Sequence, residues 1–166
     1  MSHFSKPASL PVSDGPIPER GSTRTLHVSP PLVRAIEEHA LRRYPDECCG
    51  ALIGRGGIVW KAFELPNISS EGQRRRFLIG PQDYRLAESR ADMLGAELIG
   101  FYHSHPDHPA QPSSYDLEHA WPHLIYVIAS VAAGRAGQVT AWRLAEDRSR
   151  FEELEVCVAA ENPEKT

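Results

Sequence analysis

The sequence has few cysteines, no long apolar run and no large excess of either charge. Its 166 residues include 3 cysteines. An odd number with two adjacent members, Cys48 and Cys49, does not suit a disulfide framework and favours a reducing compartment. The longest nearly apolar run, residues 124–134, is far shorter than the roughly 20 residues that span a bilayer. Residues 1–22 lack the apolar core of a secretory signal, so we expect a cytoplasmic protein.

The charge balance also excludes classes of partner. The chain has 18 Lys and Arg against 22 Asp and Glu, a formal net charge of −4. A mildly acidic domain does not offer the basic surface that binds nucleic-acid phosphates or anionic membranes. No segment repeats at the periods typical of solenoids or propellers. We therefore expect neither a nucleic acid nor a membrane as partner, and the sequence leaves a homodimer open.

The length suits one domain, and its patterns alternate between helix and strand. We expect a flexible tail at 1–23, a domain at 24–159 and a short tail at 160–166. A serine followed by two prolines predicts a capped helix that begins near residue 31. The fold class is therefore α/β or α+β, a mixed sheet flanked by helices. The predicted helices are 31–43, 82–94 and 113–120, and the predicted strands are 50–53, 58–65, 77–79, 97–102, 124–131, 139–144 and 151–158.

The segment after the strand at 97–102 contains the candidate metal-binding residues. His103 and His105 are two residues apart at the end of an extended run, so strand alternation points both imidazoles to one side. Asp116 lies far enough beyond them for the chain to turn back toward the same ion. Two His and one Asp are three ligands, which on zinc leave a position for water, as in catalytic sites. Asp116 also has an ordinary explanation, a capping box with Ser113.

A water held by zinc needs a group to take its proton, and Glu47 is the candidate. It stands just before a short apolar strand, where an acid is unusual unless it lines a cavity. The alternative is a solvated residue in the turn that begins at Pro45.

These residues together resemble a known motif. Glu47, then His103-Ser104-His105-Pro106, then six residues and Ser113-x-x-Asp116 is similar to the signature of the JAMM (MPN+) metalloproteases. The small size and the Glu-Cys-Cys-Gly run look like the compact bacterial branch. The resemblance, over about 25–158, implies an MPN/JAB-like fold with a cytidine-deaminase-like architecture.

The resemblance also implies roles for individual residues. His103, His105 and Asp116 would hold one zinc ion per chain, and Glu47 would be the general base. Ser113 would stabilise the oxyanion. The substrate class would be an amide bond after the C-terminal Gly-Gly of a ubiquitin-like or sulfur-carrier protein. The role of Ser104 stays open, with loop hydrogen bonding as its ordinary explanation.

Several other features compete with this interpretation. His119 and His123 are four apart, but Pro122 interrupts that helix. Cys48 and Cys49 are better explained as core residues than as nucleophiles. The basic run of residues 74–76 is either a solvated loop or part of a surface for an acidic carrier protein. The rival functions are a zinc hydrolase of a small amide and a non-catalytic MPN scaffold.

Overall fold

The computed structural model describes residues 24–158, and the tails predicted at 1–23 and 160–166 lie outside the described residues. Within 24–158 the chain forms seven strands and three helices. In chain order these are β1 (Thr25–Val28), α1 (Pro30–Arg43), β2 (Cys49–Arg55), β3 (Ile58–Leu65), α2 (Pro81–Met93), β4 (Glu97–Pro106), α3 (Ser114–His119), β5 (Ile125–Ala132), β6 (Arg135–Leu144) and β7 (Phe151–Val158). No helix among them is long and apolar enough to cross a membrane.

The sheet is mixed, as expected, but it closes on itself. Its strand order is β1-β3-β2-β4-β5-β6-β7, and β1 pairs in parallel with both β3 and β7. The pair β4 and β5 is also parallel, while the other neighbours are antiparallel. The sequence did not predict closure because β1 was missed. A strand of four residues directly before a helix cap is too short to show alternation.

Helix α1 packs against one face of the curved sheet. Ser29 caps it, since its hydroxyl accepts a hydrogen bond from the backbone N–H of Leu32. Leu32 and Ile36 are buried in one core cluster with Tyr102 and apolar residues of β2 and β5. The predicted cap and helix are confirmed, with the helix beginning one residue earlier than expected, at Pro30.

The other face of the sheet carries α2, α3 and the β3–α2 loop, which we define as residues 66–80. Ala87 of α2 joins Phe101 and Tyr126 in a second core cluster, against which Leu117 of α3 packs. The strand predicted at 77–79 is wrong. Its alternating apolar residues are buried in this cluster, but they form no ladder with a neighbouring strand.

Strand β4 continues four residues beyond its predicted end, and this extension contains His103 and His105. We expected a loop from residue 103, but β4 stays paired with β5 as far as Pro106, opposite Val131. Tyr102 packs in the α1 cluster and Phe101 in the opposite one. Alternation from Phe101 therefore puts His103 and His105 on the face that carries α3.

Candidate metal and catalytic site

The two histidines of β4 and the aspartate of α3 form one buried cluster. The Nε2 atoms of His103 and His105 lie 3.1 Å apart, and each is 3.5 Å from Oδ2 of Asp116. His103 is fully buried, while His105 and Asp116 are each 6% exposed. Among residues 24–158, these are the only three His, Cys, Asp or Glu side chains grouped closely enough to hold a metal ion.

A capping box orients Asp116. The backbone N–H of Ser113 donates to Asp116 Oδ2 at 2.7 Å, and the Asp116 N–H donates to Ser113 Oγ at 3.1 Å. The capping box and the ligand role are thus compatible, because the same carboxylate oxygen faces both the helix N-terminus and the imidazoles. Burial would raise the pKa of Asp116, but the neighbouring His103 imidazole and the hydrogen bond from the Ser113 backbone hold it well below its usual range.

Each imidazole is held in a different way. His105 Nδ1 lies 2.7 Å from the carbonyl oxygen of Pro109. Because a carbonyl can only accept, Nδ1 donates and the Nε2 lone pair faces the cluster. The His103 ring stacks on Phe77, with 4.1 Å between ring centroids. Its Nδ1 atom has no hydrogen-bond partner in the part of the chain that the structure describes.

The donor set fits a zinc ion. Two imidazole nitrogens and one carboxylate oxygen converge in a buried space, which a cation would stabilise. Tetrahedral zinc with bonds of about 2.0–2.1 Å separates its ligand atoms by about 3.3 Å. The observed separations of 3.1 and 3.5 Å match this value. The cluster can therefore hold one metal ion with a position left for water.

Glu47 is buried beside this cluster. It is 2% exposed, so the alternative of a solvated turn residue is wrong. It lines an open cleft of about 330 Å³ together with His105, Ser113 and five other residues. Burial, reinforced by Asp116 and opposed by His105, raises the pKa of Glu47 to about 8. A carboxyl group with such a pKa can accept and return a proton near neutral pH.

The main chain around Glu47 is fixed by Gln73 and Asn67, which the sequence did not single out, and by Ser104 of the motif. Its N–H donates to the carbonyl of Gln73 at 2.6 Å, and its carbonyl accepts from Asn67 Nδ2 at 3.1 Å. The next N–H, that of Cys48, donates to the buried hydroxyl of Ser104 at 2.8 Å. Ser104 therefore ties the chain at Glu47 to β4. A single Asn or Gln in a polar loop gives no sequence signal for such contacts.

The competing features are explained by their surroundings. His119 is exposed, its Nδ1 lies 2.9 Å from the Tyr115 carbonyl, and it is not a member of the ligand cluster. Burial raises the pKa of the Cys48 thiol to about 11 and raises that of Cys49 as well, so both stay protonated thiols.

The arginines of the basic run at residues 74–76 contact different neighbours. Arg76 pairs with Glu71 and lies over the Tyr115 ring, 5.1 Å from its centroid. Arg75 lines the cleft beside His108.

Comparison with known proteins assigns the family. A family model of prokaryotic homologs of the JAB domain matches residues 29–145. The chain is 33% identical over 117 residues to a desampylase of Haloferax volcanii, a match that covers 69% of this chain and 79% of that protein. It is 32% identical over 111 residues to a probable TtuB-protein conjugate cleaving protease of Thermus thermophilus, covering 67% and 74%. A solution structure of a protein from Salinibacter ruber superposes with a TM-score of 0.63 at 39% identity, covering 84% of this chain and 94% of that one.

The chain belongs to the prokaryotic JAB family, which confirms the JAMM (MPN+) resemblance and the JAB/MPN-like α+β fold. It is accordingly a hydrolase of the JAMM peptidase type.

Proposed function

We propose that this protein is a zinc-dependent peptidase or isopeptidase that hydrolyses the amide bond after the C-terminal Gly-Gly of a ubiquitin-like or sulfur-carrier protein. The observation that carries the proposal is the convergence of three buried ligand atoms, of which that of His105 belongs to a residue lining the same open cleft as the buried carboxyl group of Glu47. Relatives named as a desampylase and as a protease of TtuB-protein conjugates support the substrate class.

Each residue has a role in this proposal. His103, His105 and Asp116 hold one zinc ion per chain. When bound, the ion supplies a Lewis acid that polarises the scissile carbonyl and acidifies a water molecule. Glu47 accepts the proton from the attacking water and gives it to the leaving amine. The Ser113 hydroxyl accepts a hydrogen bond from the Asp116 N–H, so its own hydrogen is free to donate to the developing oxyanion.

The shape of the cleft favours an extended substrate tail. Pro109 and Pro112 line it beside His105, at the end of a strand. A helical or folded segment would not bring its carbonyl close to such a recessed site, whereas a Gly-Gly tail has no side chains to exclude. Main-chain hydrogen bonds with groups that line the cleft would hold the tail, because the sheet formed by residues 24–158 is closed and offers no terminal edge strand for the tail to join. The body of the carrier would then lie against the β3–α2 loop, with Arg75 at the cleft.

We also propose a cytidine-deaminase-like architecture, a domain at 24–159 and a cytoplasmic location, and a homodimer is compatible with this function.

The test compares a carrier protein extended beyond its Gly-Gly with a free peptide of the same tail. We expect cleavage after the second Gly, suppression when that Gly is replaced by Val, and a much lower kcat/KM for the peptide, which lacks the body contacts. Equal kcat/KM for both would contradict carrier recognition and favour a hydrolase of small amides. Binding of the carrier without cleavage by zinc-loaded protein would favour a scaffold.

A further inference from the structure

Glu47 lies outside every helix and strand, in the connection between α1 and β2. Its Oε2 atom has no hydrogen-bond partner among residues 24–158, so that side of the carboxyl group is not anchored. Two contacts of its main chain, with Gln73 and Asn67, connect it instead to the β3–α2 loop. The position of the carboxyl group therefore depends on how that loop is held.

Asn67 is the centre of the hydrogen bonds in this loop. Its Nδ2 donates to the carbonyls of Glu47 at 3.1 Å and Arg76 at 2.9 Å. Its Oδ1 accepts from the backbone N–H groups of Ser69 at 3.0 Å and Leu78 at 3.1 Å. An amide side chain offers two donor hydrogens and two acceptor lone pairs, and Asn67 uses all of them.

The Oδ1 and Nδ2 atoms of Asn67 bind different parts of the chain. Oδ1 holds the start of the loop and its end together, because Ser69 and Leu78 lie at opposite ends. Nδ2 also contacts the Arg76 carbonyl within the loop, but its other hydrogen bond leaves the loop and reaches the carbonyl of Glu47. The Gln73 side chain supports the arrangement from within the loop, since its Nε2 donates to the Asn67 carbonyl at 2.9 Å. A change at Nδ2 alone can thus disturb Glu47 while the closure of the loop through Oδ1 is kept.

We infer that Asn67 is a positioning residue that holds the proposed general base, Glu47, through its main-chain carbonyl. The inference rests on the proposed function and extends it to a residue outside the motif. A general base must lie within about 2.6–3.2 Å of the proton that it takes, so a small displacement of Glu47 lowers the rate. Asn67 does not touch the metal cluster, so metal binding does not depend on it.

Asn67→Asp is the sharpest variant. The aspartate has nearly the same shape and keeps the acceptor for Ser69 and Leu78, but it turns the donor into an acceptor that faces two carbonyl oxygens. We expect zinc content to be unchanged and kcat on the extended carrier to fall by about ten- to a hundredfold, with KM changing far less. Asp147→Asn is the matched control, because it makes the reverse exchange of carboxylate and amide at an exposed residue between β6 and β7, outside both the cleft and the β3–α2 loop. It should keep the wild-type kcat.

A double variant separates a positioning role from a general structural one. If Asn67 acts through Glu47, then Asn67→Asp should cause almost no further loss of kcat in a Glu47→Gln background. The same fold-loss in both backgrounds would overturn the inference.

Amide hydrogen exchange of the zinc-loaded protein tests, without any substrate, whether Asn67 holds the main chain at Glu47, whose own N–H donates to the Gln73 carbonyl. In Asn67→Asp the Glu47 amide should exchange faster while the Leu78 amide and the amides of β4 stay protected. Unchanged protection at Glu47 would overturn the inference whatever the activity. If the Glu47 amide of Asn67→Asp loses protection but the wild-type protein cleaves no carrier, the positioning role of Asn67 stands and only the proposed function is overturned. Should Asn67→Asp fail to fold, Gln73→Ala is the second variant, because it removes the hydrogen bond from Gln73 to the Asn67 carbonyl. The Glu47 amide should again exchange faster, by a smaller factor. Unchanged exchange in this variant would count against the inference.

Discussion

The two halves of the candidate site are held by different kinds of structure. His103 and His105 belong to β4, which pairs with β5 along both residues, and His103 also lies opposite Cys49 of β2. Glu47 belongs to no regular element and is held by contacts with the β3–α2 loop and by the neighbouring Cys48–Ser104 hydrogen bond. The ligand geometry is thus built into the sheet, whereas the position of the base is set by a loop.

The halves differ in polar contacts as well. His105 Nδ1 is satisfied by Pro109, and Asp116 Oδ2 by the Ser113 N–H, so these two ligands are oriented by hydrogen bonds, whereas His103 is held by its stacking on Phe77. Oε2 of Glu47 is buried without a partner in residues 24–158. Such a carboxyl group is free to accept a proton from a molecule that enters the cleft. We expect changes in the sheet to act on metal binding and changes around Glu47 to act on proton transfer.

The largest effect is predicted for His105→Ala. The remaining imidazole and carboxylate are two ligands, too few to hold zinc at comparable affinity, so the purified protein should lose both zinc and hydrolysis. His119→Ala is the matched control, since that imidazole is exposed and outside the cluster. Metal analysis measures both variants. Wild-type protein that carries no zinc and takes up none when it is added would contradict the metal site itself.

Glu47→Gln should separate the base from the ligands. The variant keeps the shape of the side chain but cannot accept a proton. We expect the zinc content to stay at about one per chain, because Glu47 is outside the ligand set, while kcat falls by at least about 10²-fold. Steady-state kinetics on the extended carrier, with metal analysis of the same preparation, checks both expectations. Normal turnover would show that Glu47 is not the base, and loss of zinc would show that the two halves are not separate.

The contrast between the halves also explains what the sequence could predict. The metal cluster is local in sequence: alternation along β4 puts His103 and His105 on one face, and Ser113-x-x-Asp116 marks a helix start. Both patterns follow from backbone geometry, and the structure brings all three side chains together. Glu47 was suggested by its unusual setting and by the family motif. Its contacts with Asn67 and Gln73 depend on tertiary structure, so no periodicity or spacing indicates them.

The same limit applies to the fold. The serine cap of α1 and the strands predicted at 50–53 and 58–65 follow from local patterns, and all are present, the two strands as the antiparallel pair β2 and β3. The closure of the sheet by β1 depends on pairing with β7, more than a hundred residues along the chain. The short apolar run at 77–79 alternates like a strand, yet Phe77 covers His103 instead of pairing with a neighbour. An alternating pattern of apolar residues indicates that one face of the segment is buried. It does not distinguish a strand that pairs with a neighbour from an unpaired segment whose side chain stacks on another ring.

The smallest effect is predicted for Ser113→Ala, where one hydroxyl serves both as helix cap and as proposed oxyanion donor. Its loss removes the acceptor for the Asp116 N–H but keeps the Ser113 N–H bond to Asp116 Oδ2, so zinc should stay bound. We expect kcat to fall on the order of tenfold, less than for Glu47→Gln, because Ser113 is one of two groups that stabilise the oxyanion.

Loss of the cap alone costs about 1 kcal/mol of stability, and Ser29→Ala removes the comparable cap of α1, away from the site. Both serine variants should lower the melting temperature by similar amounts, but only Ser113→Ala should lower kcat. If turnover falls equally in both, lost stability explains the effect of Ser113→Ala. If it falls in neither, Ser113 is a helix cap and the oxyanion lacks this donor.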